Sequence, residues 1–236
     1  MRSRVPTGIH GLDELIDGGL EQGKAYLVTG ETGTGKTIFS LQYLLHGISL
    51  GEPAVYATMD QNPEHIIEDA ESLGWNLHEH IDSEKFIFLD ATPKIKVEDG
   101  TFDSSSFFSE LKSYLSVLGG RRVVIDPIVP FASRDSNYFH IRESIRKVIR
   151  LLEECKCTTL VTTEIPPGSQ KLSMLGVEEL FVHGVIVLGL EKHDNNYART
   201  LLVRKMRGTK IDLTYQNYTI NTNEGIVITG PLIYEI

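Results

Sequence analysis

Three observations predict an α/β fold: a largely parallel central sheet flanked by helices, with a C-terminal β-rich extension. Apolar runs of strand length alternate with helical patterns for about 165 residues, as βαβ units require. The first clear strand leads into a glycine-rich stretch that opens a helix. From Gly184 onward, strand patterns continue with no long helix.

Each element follows from local pattern. Lys24–Thr29 reads as a strand, and Gly35–Gly47 as a helix with apolar residues at Ile38, Phe39, Leu41, Leu44 and Leu45. Ala54–Met59 is the next strand, closed by Asn62-Pro63 before a helix over Glu64–Leu73. Phe86–Leu89 follows as a strand, and Ser104–Leu118 as a helix ending at Gly119-Gly120. Arg121–Asp126 is a short apolar strand halted by Pro127, and Ile141–Glu154 is an amphipathic helix. Thr158–Thr163 reads as a strand and Gly176–Phe181 as a short helix. Strand patterns then recur at Val185–Leu190, Thr200–Met206, Tyr215–Ile220 and Ile226–Ile228.

Length and composition set bounds. The 236 residues, 41% hydrophobic, are read as one domain over 1–236 that needs no disulfide staples. Cys155 and Cys157 read as two reduced structural thiols. A net charge of −9 opposes bulk binding to polyanions. No segment reaches the 18 or so apolar residues of a membrane span; the longest, Leu180–Leu190, contains His183 and two glycines. His183 itself reads as a core or interface histidine. Met1–Thr7 is basic but lacks a following apolar stretch, so the cytoplasm is the expected compartment.

The chemistry is concentrated at Gly30-Glu31-Thr32-Gly33-Thr34-Gly35-Lys36-Thr37, which fits G-x-x-x-x-G-K-[ST]. Glycines let successive N–H groups face an anion, and the following helix adds the positive end of its dipole. Lys36 would set an ammonium against the β- and γ-phosphates, and the Thr37 hydroxyl would ligate Mg²⁺. A chance match in a chain of this length is on the order of one in a hundred. Such a site needs an acidic residue at the end of a neighbouring buried strand. Asp126 is the candidate for organising Mg²⁺ through water, its alternative being a cap ahead of Pro127.

Beyond these residues the sequence resembles the RecA/KaiC superfamily of P-loop ATPases, and among them a single KaiC-type domain. The resemblance covers nearly the whole chain. It includes Thr7–Leu15, Gly18, Gly19 and Gly23, then Gly51-Glu52-Pro53, Ser72–Leu77, Gly176–Glu179 and Arg204–Thr209. It implies a RecA-type fold with ATP bound at the subunit interfaces of a homo-oligomeric ring, usually a hexamer. Gly33, Thr34, Gly35, Lys36, Thr37 and Ile38 would then contact nucleotide, with Ser72 close to it. Lys205 and Arg207 would be fingers supplied to the neighbour's site, with Met206, Thr209 and Lys210 beside the adjacent base and ribose. The alternative for Arg204–Lys210 is a solvated basic cluster.

One departure from the resemblance bears on rate. After the second strand relatives carry a Glu-Glu pair, whose first member activates water; here Asp60 and Gln61 stand in its place. Asp is shorter by one methylene, roughly 1.5 Å of reach, and an error near 1 Å can cost about 10²-fold. Slow hydrolysis is expected, with Glu64 as a substitute base should Asp60 not act. By resemblance Glu164 occupies the strand end that senses the γ-phosphate; its alternative is a solvated loop carboxylate.

Three functions are compatible. One is a KaiC-like ATPase whose cycle controls assembly or the binding of an unidentified protein partner. Another is a RecA/RadA-like recombinase paralogue holding single-stranded DNA, and the last a nearly inactive nucleotide-responsive scaffold. Nucleic acid is disfavoured because 127–140 balances Arg134 against Asp135, and 165–183 carries Lys171 against Glu178 and Glu179.

Overall fold

The computed structural model describes residues 3–91, 104–119, 121–132, 137–193 and 196–233. Gly120, Arg134 and Asp135 lie outside them, as do Met1 and Arg2.

The chain begins with a small antiparallel pair, β1 (Arg4–Val5) and β2 (Leu20–Glu21), enclosing the short helix α1 (Leu12–Leu15). The Asp13 carboxylate accepts the Thr7 N–H at 2.9 Å and the Thr7 hydroxyl at 2.7 Å, which closes this segment on itself. Then come β3 (Ala25–Gly30), α2 (Lys36–Ser49), β4 (Ala54–Thr58), α3 (Pro63–Ser72), α4 (Leu77–Asp82) and β5 (Phe86–Asp90). They are followed by α5 (Ser104–Leu118), β6 (Arg122–Asp126), a 3₁₀ turn (Val129–Phe131), α6 (Tyr138–Glu154), β7 (Thr158–Glu164) and α7 (Glu178–Phe181). The chain closes with β8 (Gly184–His193), β9 (Asn196–Met206), β10 (Gln216–Asn221) and β11 (Gly225–Pro231).

Among the described residues the main sheet has nine strands in the order β11-β10-β9-β8-β3-β7-β6-β4-β5. From β8 through β3 to β5 all neighbours are parallel, while β8 to β11 form an antiparallel meander. Strand side chains alternate between two cores. Tyr26, Val28 and Val124 join one face with α2 and α3; Ala25, Leu27, Val123 and Ile125 join the other with α5 and α6. Burial on both faces is why these strands read as continuous apolar runs.

Helix α2 is held on several sides. Its Gln42 side chain, 6% exposed, donates to the Gly8 carbonyl at 2.9 Å and accepts the Ile226 N–H at 2.7 Å. Arg122 is wholly buried at the start of β6. It donates to Glu52 at 2.7 Å, to the Pro6 carbonyl at 2.8 Å and to the Tyr43 carbonyl at 3.0 Å. Both cysteines are free, and burial pushes the Cys157 thiol up to about 12. His183 lies against Tyr26 edge-on and 3.2 Å from Glu21. Among the described residues no helix is long and apolar enough to cross a membrane.

Candidate functional site

Strand register assembles the site before any side chain is considered. Gly30 stands opposite Glu164 and Leu188, and Thr58 stands opposite Asp126. The last residues of β3, β7, β4 and β6 therefore share one edge, the carboxyl end of the parallel strands, where α/β sheets bind ligands.

The loop between β3 and α2 has the shape its glycines permit. Gly33 and Gly35 adopt φ of +85° and +91°, the left-handed region that disfavours side chains. A Cβ at Gly30 would meet the Leu188 carbonyl oxygen at 2.3 Å. Gly35 caps α2 without any side-chain hydrogen bond, so the helix presents uncapped first-turn N–H groups to the cavity. The Tyr218 hydroxyl donates to the Thr34 carbonyl and braces the loop from β10.

Lys36 reaches back across this loop. Its ammonium donates to the Gly30 and Glu31 carbonyls at 2.9 and 3.0 Å and lies 3.9 Å from Glu164. Burial lowers its pKa, against the opposing pull of the Glu164 and Asp126 carboxylates. Glu164 also accepts the Thr32 hydroxyl at 3.2 Å. Thr37 donates to Asp126 at 3.3 Å, and Asp126 takes further hydroxyl bonds from Tyr56 and Thr162. These bonds orient the carboxylate. A hydroxyl and a held carboxylate beside a phosphate loop are a donor set that fits Mg²⁺, all oxygen and supplying only part of its shell.

Asp60 and Gln61 follow β4. The Thr58 hydroxyl donates to the Gln61 carbonyl at 2.7 Å and accepts its N–H at 3.2 Å, and the Met59 N–H donates to the Asp126 carbonyl at 2.9 Å. The turn is thereby locked against the end of β6. Burial first, then the Asp126 and Glu164 carboxylates, raise the Asp60 pKa.

A cavity of ≈ 450 Å³ gathers Gly33, Gly35, Lys36, Thr37, Ile38, Asp60, Gln61, Asp126 and Glu164. Not every expected residue joins them. Thr34 is wholly buried, its hydroxyl turned to the Glu31 carbonyl at 2.8 Å. Ser72 donates to the Asp69 carbonyl at 2.7 Å and does not line the cavity, although Asp69 does. Lys205, Met206, Arg207, Thr209 and Lys210 lie off this chain's own cavity. Met206 is 5% exposed in the core, and the Thr209 hydroxyl accepts from Arg4 at 2.7 Å. Lys205 donates to the Glu179 and Val182 carbonyls at 2.7 and 2.8 Å, and Arg207 to the Leu180 carbonyl at 3.2 Å.

Arg199 lines the cavity and escaped the sequence reading. The signal was available: Leu201 and Val203 share the α2-side core, so alternation along β9 puts Arg199 on the same face. Glu178, counted as a loop charge, is wholly buried and leaves that balance, with Lys171 then standing against Glu179.

Comparison with known proteins agrees with this fold. The profile of the family described as "ATPase: KaiC" matches residues 5–232. The "Circadian clock oscillator protein KaiC" of Prochlorococcus marinus subsp. pastoris is 37% identical over 209 residues, 87% of this chain and 41% of that protein. Its namesake from Thermosynechococcus vestitus is 32% identical over 232 residues, covering 97% and 45%. The chain thus spans less than half the length of these curated relatives. The crystal structure of a KaiC-like protein from Pyrococcus horikoshii OT3 matches with a TM-score of 0.84 at 34% identity, over 97% of this chain and 99% of that one.

Proposed function

The chain belongs to the KaiC family of ATPases and has its RecA-type P-loop fold. From that premise we propose that it binds Mg²⁺·ATP and hydrolyses it slowly, its nucleotide state controlling self-assembly or the binding of a protein partner. The observation that carries the reading is the convergence of Lys36, Thr37, Asp60, Asp126 and Glu164 on one cavity at the mouth of an uncapped helix.

Gly33, Gly35 and the first-turn N–H groups, Ile38 included, would wrap the phosphates, with Thr34 contributing main chain. Lys36 would exchange the Gly30 and Glu31 carbonyls for β- and γ-phosphoryl oxygens. Thr37 and Asp126 would hold Mg²⁺, which when bound neutralises charge on those oxygens. Asp60 would take a proton from the attacking water as its oxygen bonds to the γ-phosphorus and the bond to the ADP oxygen breaks; Gln61 would orient that water. Glu164 would report the γ-phosphate, and Ser72 would stand near the nucleotide.

Lys205 and Arg207 would complete a neighbouring copy's site, with Thr209 and Lys210 beside the adjacent base and ribose and Met206, its side chain in the core, contributing main chain alone. The seating of Lys205 and Arg207 side by side on the Glu179, Val182 and Leu180 carbonyls supports the reading. We place the protein in the cytoplasm as a ring, taken as hexameric, in which residues 1–236 act as one ATPase unit. Nucleic acid is not assigned as a partner, because Lys171, between β7 and α7, is balanced by Glu179 on α7.

Phosphate release, measured beside sizing with ADP, ATP and a slow analogue, tests this. Magnesium-dependent release by an oligomer is expected; a monomer under all three conditions overturns the in-trans cations. Asp60 in place of the longer Glu favours a second reading, a nucleotide-responsive scaffold. Tight ATP binding with no release above background selects it.

A further inference from the structure

Between β7 and α7 the chain is pinned from the strands beneath it. The Thr29 hydroxyl donates to the Leu172 carbonyl at 2.7 Å, and the Thr163 hydroxyl donates to Glu178 at 3.1 Å. Glu178 is wholly buried. Its carboxylate also accepts the Ser173 hydroxyl at 2.7 Å, the Val177 N–H at 3.1 Å and the Leu175 N–H at 3.2 Å. A buried carboxylate costs stability unless its oxygens are satisfied; here Thr163, Leu175 and Val177 donate to it, and the Ser173 hydroxyl is shared between Glu178 and Glu179.

What Glu178 fixes is a platform of carbonyls. It opens α7, and the Glu179, Leu180 and Val182 carbonyls that follow receive the Lys205 ammonium and the Arg207 guanidinium. Two of the three ammonium donors are thereby used, leaving one for an anion. On its other side, Thr163 immediately precedes Glu164, the carboxylate facing Lys36.

We propose that Glu178 is a positioning residue for a second copy of this chain: by holding α7, it pre-places Lys205 and Arg207 for the neighbouring copy's nucleotide phosphates. The inference rests on the in-trans reading above. Long cationic side chains lose rotamer freedom when they reach across an interface. Seating them on carbonyls beforehand removes much of that loss, so that they meet the charge developing on the γ-phosphoryl oxygens in the transition state.

Mixed oligomers test it. One chain carries Lys205→Ala with Arg207→Ala and keeps its phosphate loop; the other carries Lys36→Ala and keeps its cations. Each alone releases little phosphate. Mixed equally in a head-to-tail ring, about one interface in four joins an intact loop to intact cations, so about a quarter of wild-type turnover returns. Glu178→Gln in the Lys36→Ala chain is expected to lower the recovered turnover by about tenfold, with ATP affinity unchanged. The same change in the other chain leaves the recovery in place. Ser173→Ala, which removes the hydroxyl shared by Glu178 and Glu179, gives a smaller loss in the same arrangement and serves if Glu178→Gln does not fold.

The outcomes separate the two readings. If the mixture without Glu178→Gln recovers nothing, cations in trans are wrong and this inference falls with them. If it recovers but loses equally whichever chain carries Glu178→Gln, or loses nothing, only the Glu178 role is overturned.

Discussion

The Lys36 ammonium lies 3.9 Å from the Glu164 carboxylate, bridging the glycine loop and the end of β7. Glu164 therefore competes with an incoming phosphate for the same cation. Glu164→Gln is expected to tighten Mg²⁺·ATP binding by about two- to fivefold, the scale of a partly exposed ion pair, while lowering turnover. Calorimetric titration beside phosphate release checks both; weaker binding would place Glu164 on the side of the phosphate instead.

Asp60 is expected to act on the chemical step alone. Asp60→Ala should lower turnover by about 10²-fold with ATP affinity retained. Asp60→Glu should raise it by restoring about 1.5 Å of reach. Because the Asp60 pKa is raised, the base is protonated and idle below that pKa. The acid limb of kcat/KM should thus lie above the ordinary carboxylate range and vanish in Asp60→Ala. Full turnover in Asp60→Ala would pass the role to Glu64.

The cation pair predicts the alkaline limb. Burial, then the Arg207 charge, lowers Lys205 to about 8, so it is protonated below that pH and neutral above it. In the assembled protein kcat/KM should fall as pH rises through about 8. Lys205→Arg should remove that limb, since a guanidinium stays charged. Arg207→Ala should lower turnover by about 10³-fold at any pH.

Stability is predicted to hinge on Glu52, which at 2.7 Å partners the wholly buried Arg122. Glu52→Gln leaves that guanidinium without its counter-charge, at a cost of about 3 kcal/mol. For a chain of this size the corresponding fall in Tm is about 6–12 °C by calorimetry. An unchanged Tm would show that the Pro6 and Tyr43 carbonyls suffice.

The sheet and the phosphate loop were legible because periodicity and glycine spacing are local signals. Asp126 was legible as the acidic end of an apolar strand; its Tyr56 and Thr162 partners come from separate strands and were not. Four short elements, β1, α1, β2 and α4, escaped for want of pattern. Helix α1 and the β1–β2 pair depend on the Thr7–Asp13 closure. Helix α4 buries only Leu77, although its Asn76 cap, accepting the Glu79 N–H at 3.3 Å, was a readable start. Helix α6 begins at Tyr138 rather than Ile141, because the Asn137 cap governs its start and exposed Tyr138 and Phe139 break the apolar stripe. Arg122 and Glu178 were illegible for a different reason. Charged residues read as surface, and only tertiary partners make their burial tolerable.

The central claim is that the loop after β3 grips the phosphates of Mg²⁺·ATP. Isothermal titration of the intact protein with Mg²⁺·ATP, beside Lys36→Ala, measures this directly. Saturable heat near one nucleotide per chain that is lost in Lys36→Ala is the predicted result. No heat from the unaltered protein, or equal binding by Lys36→Ala, would contradict it.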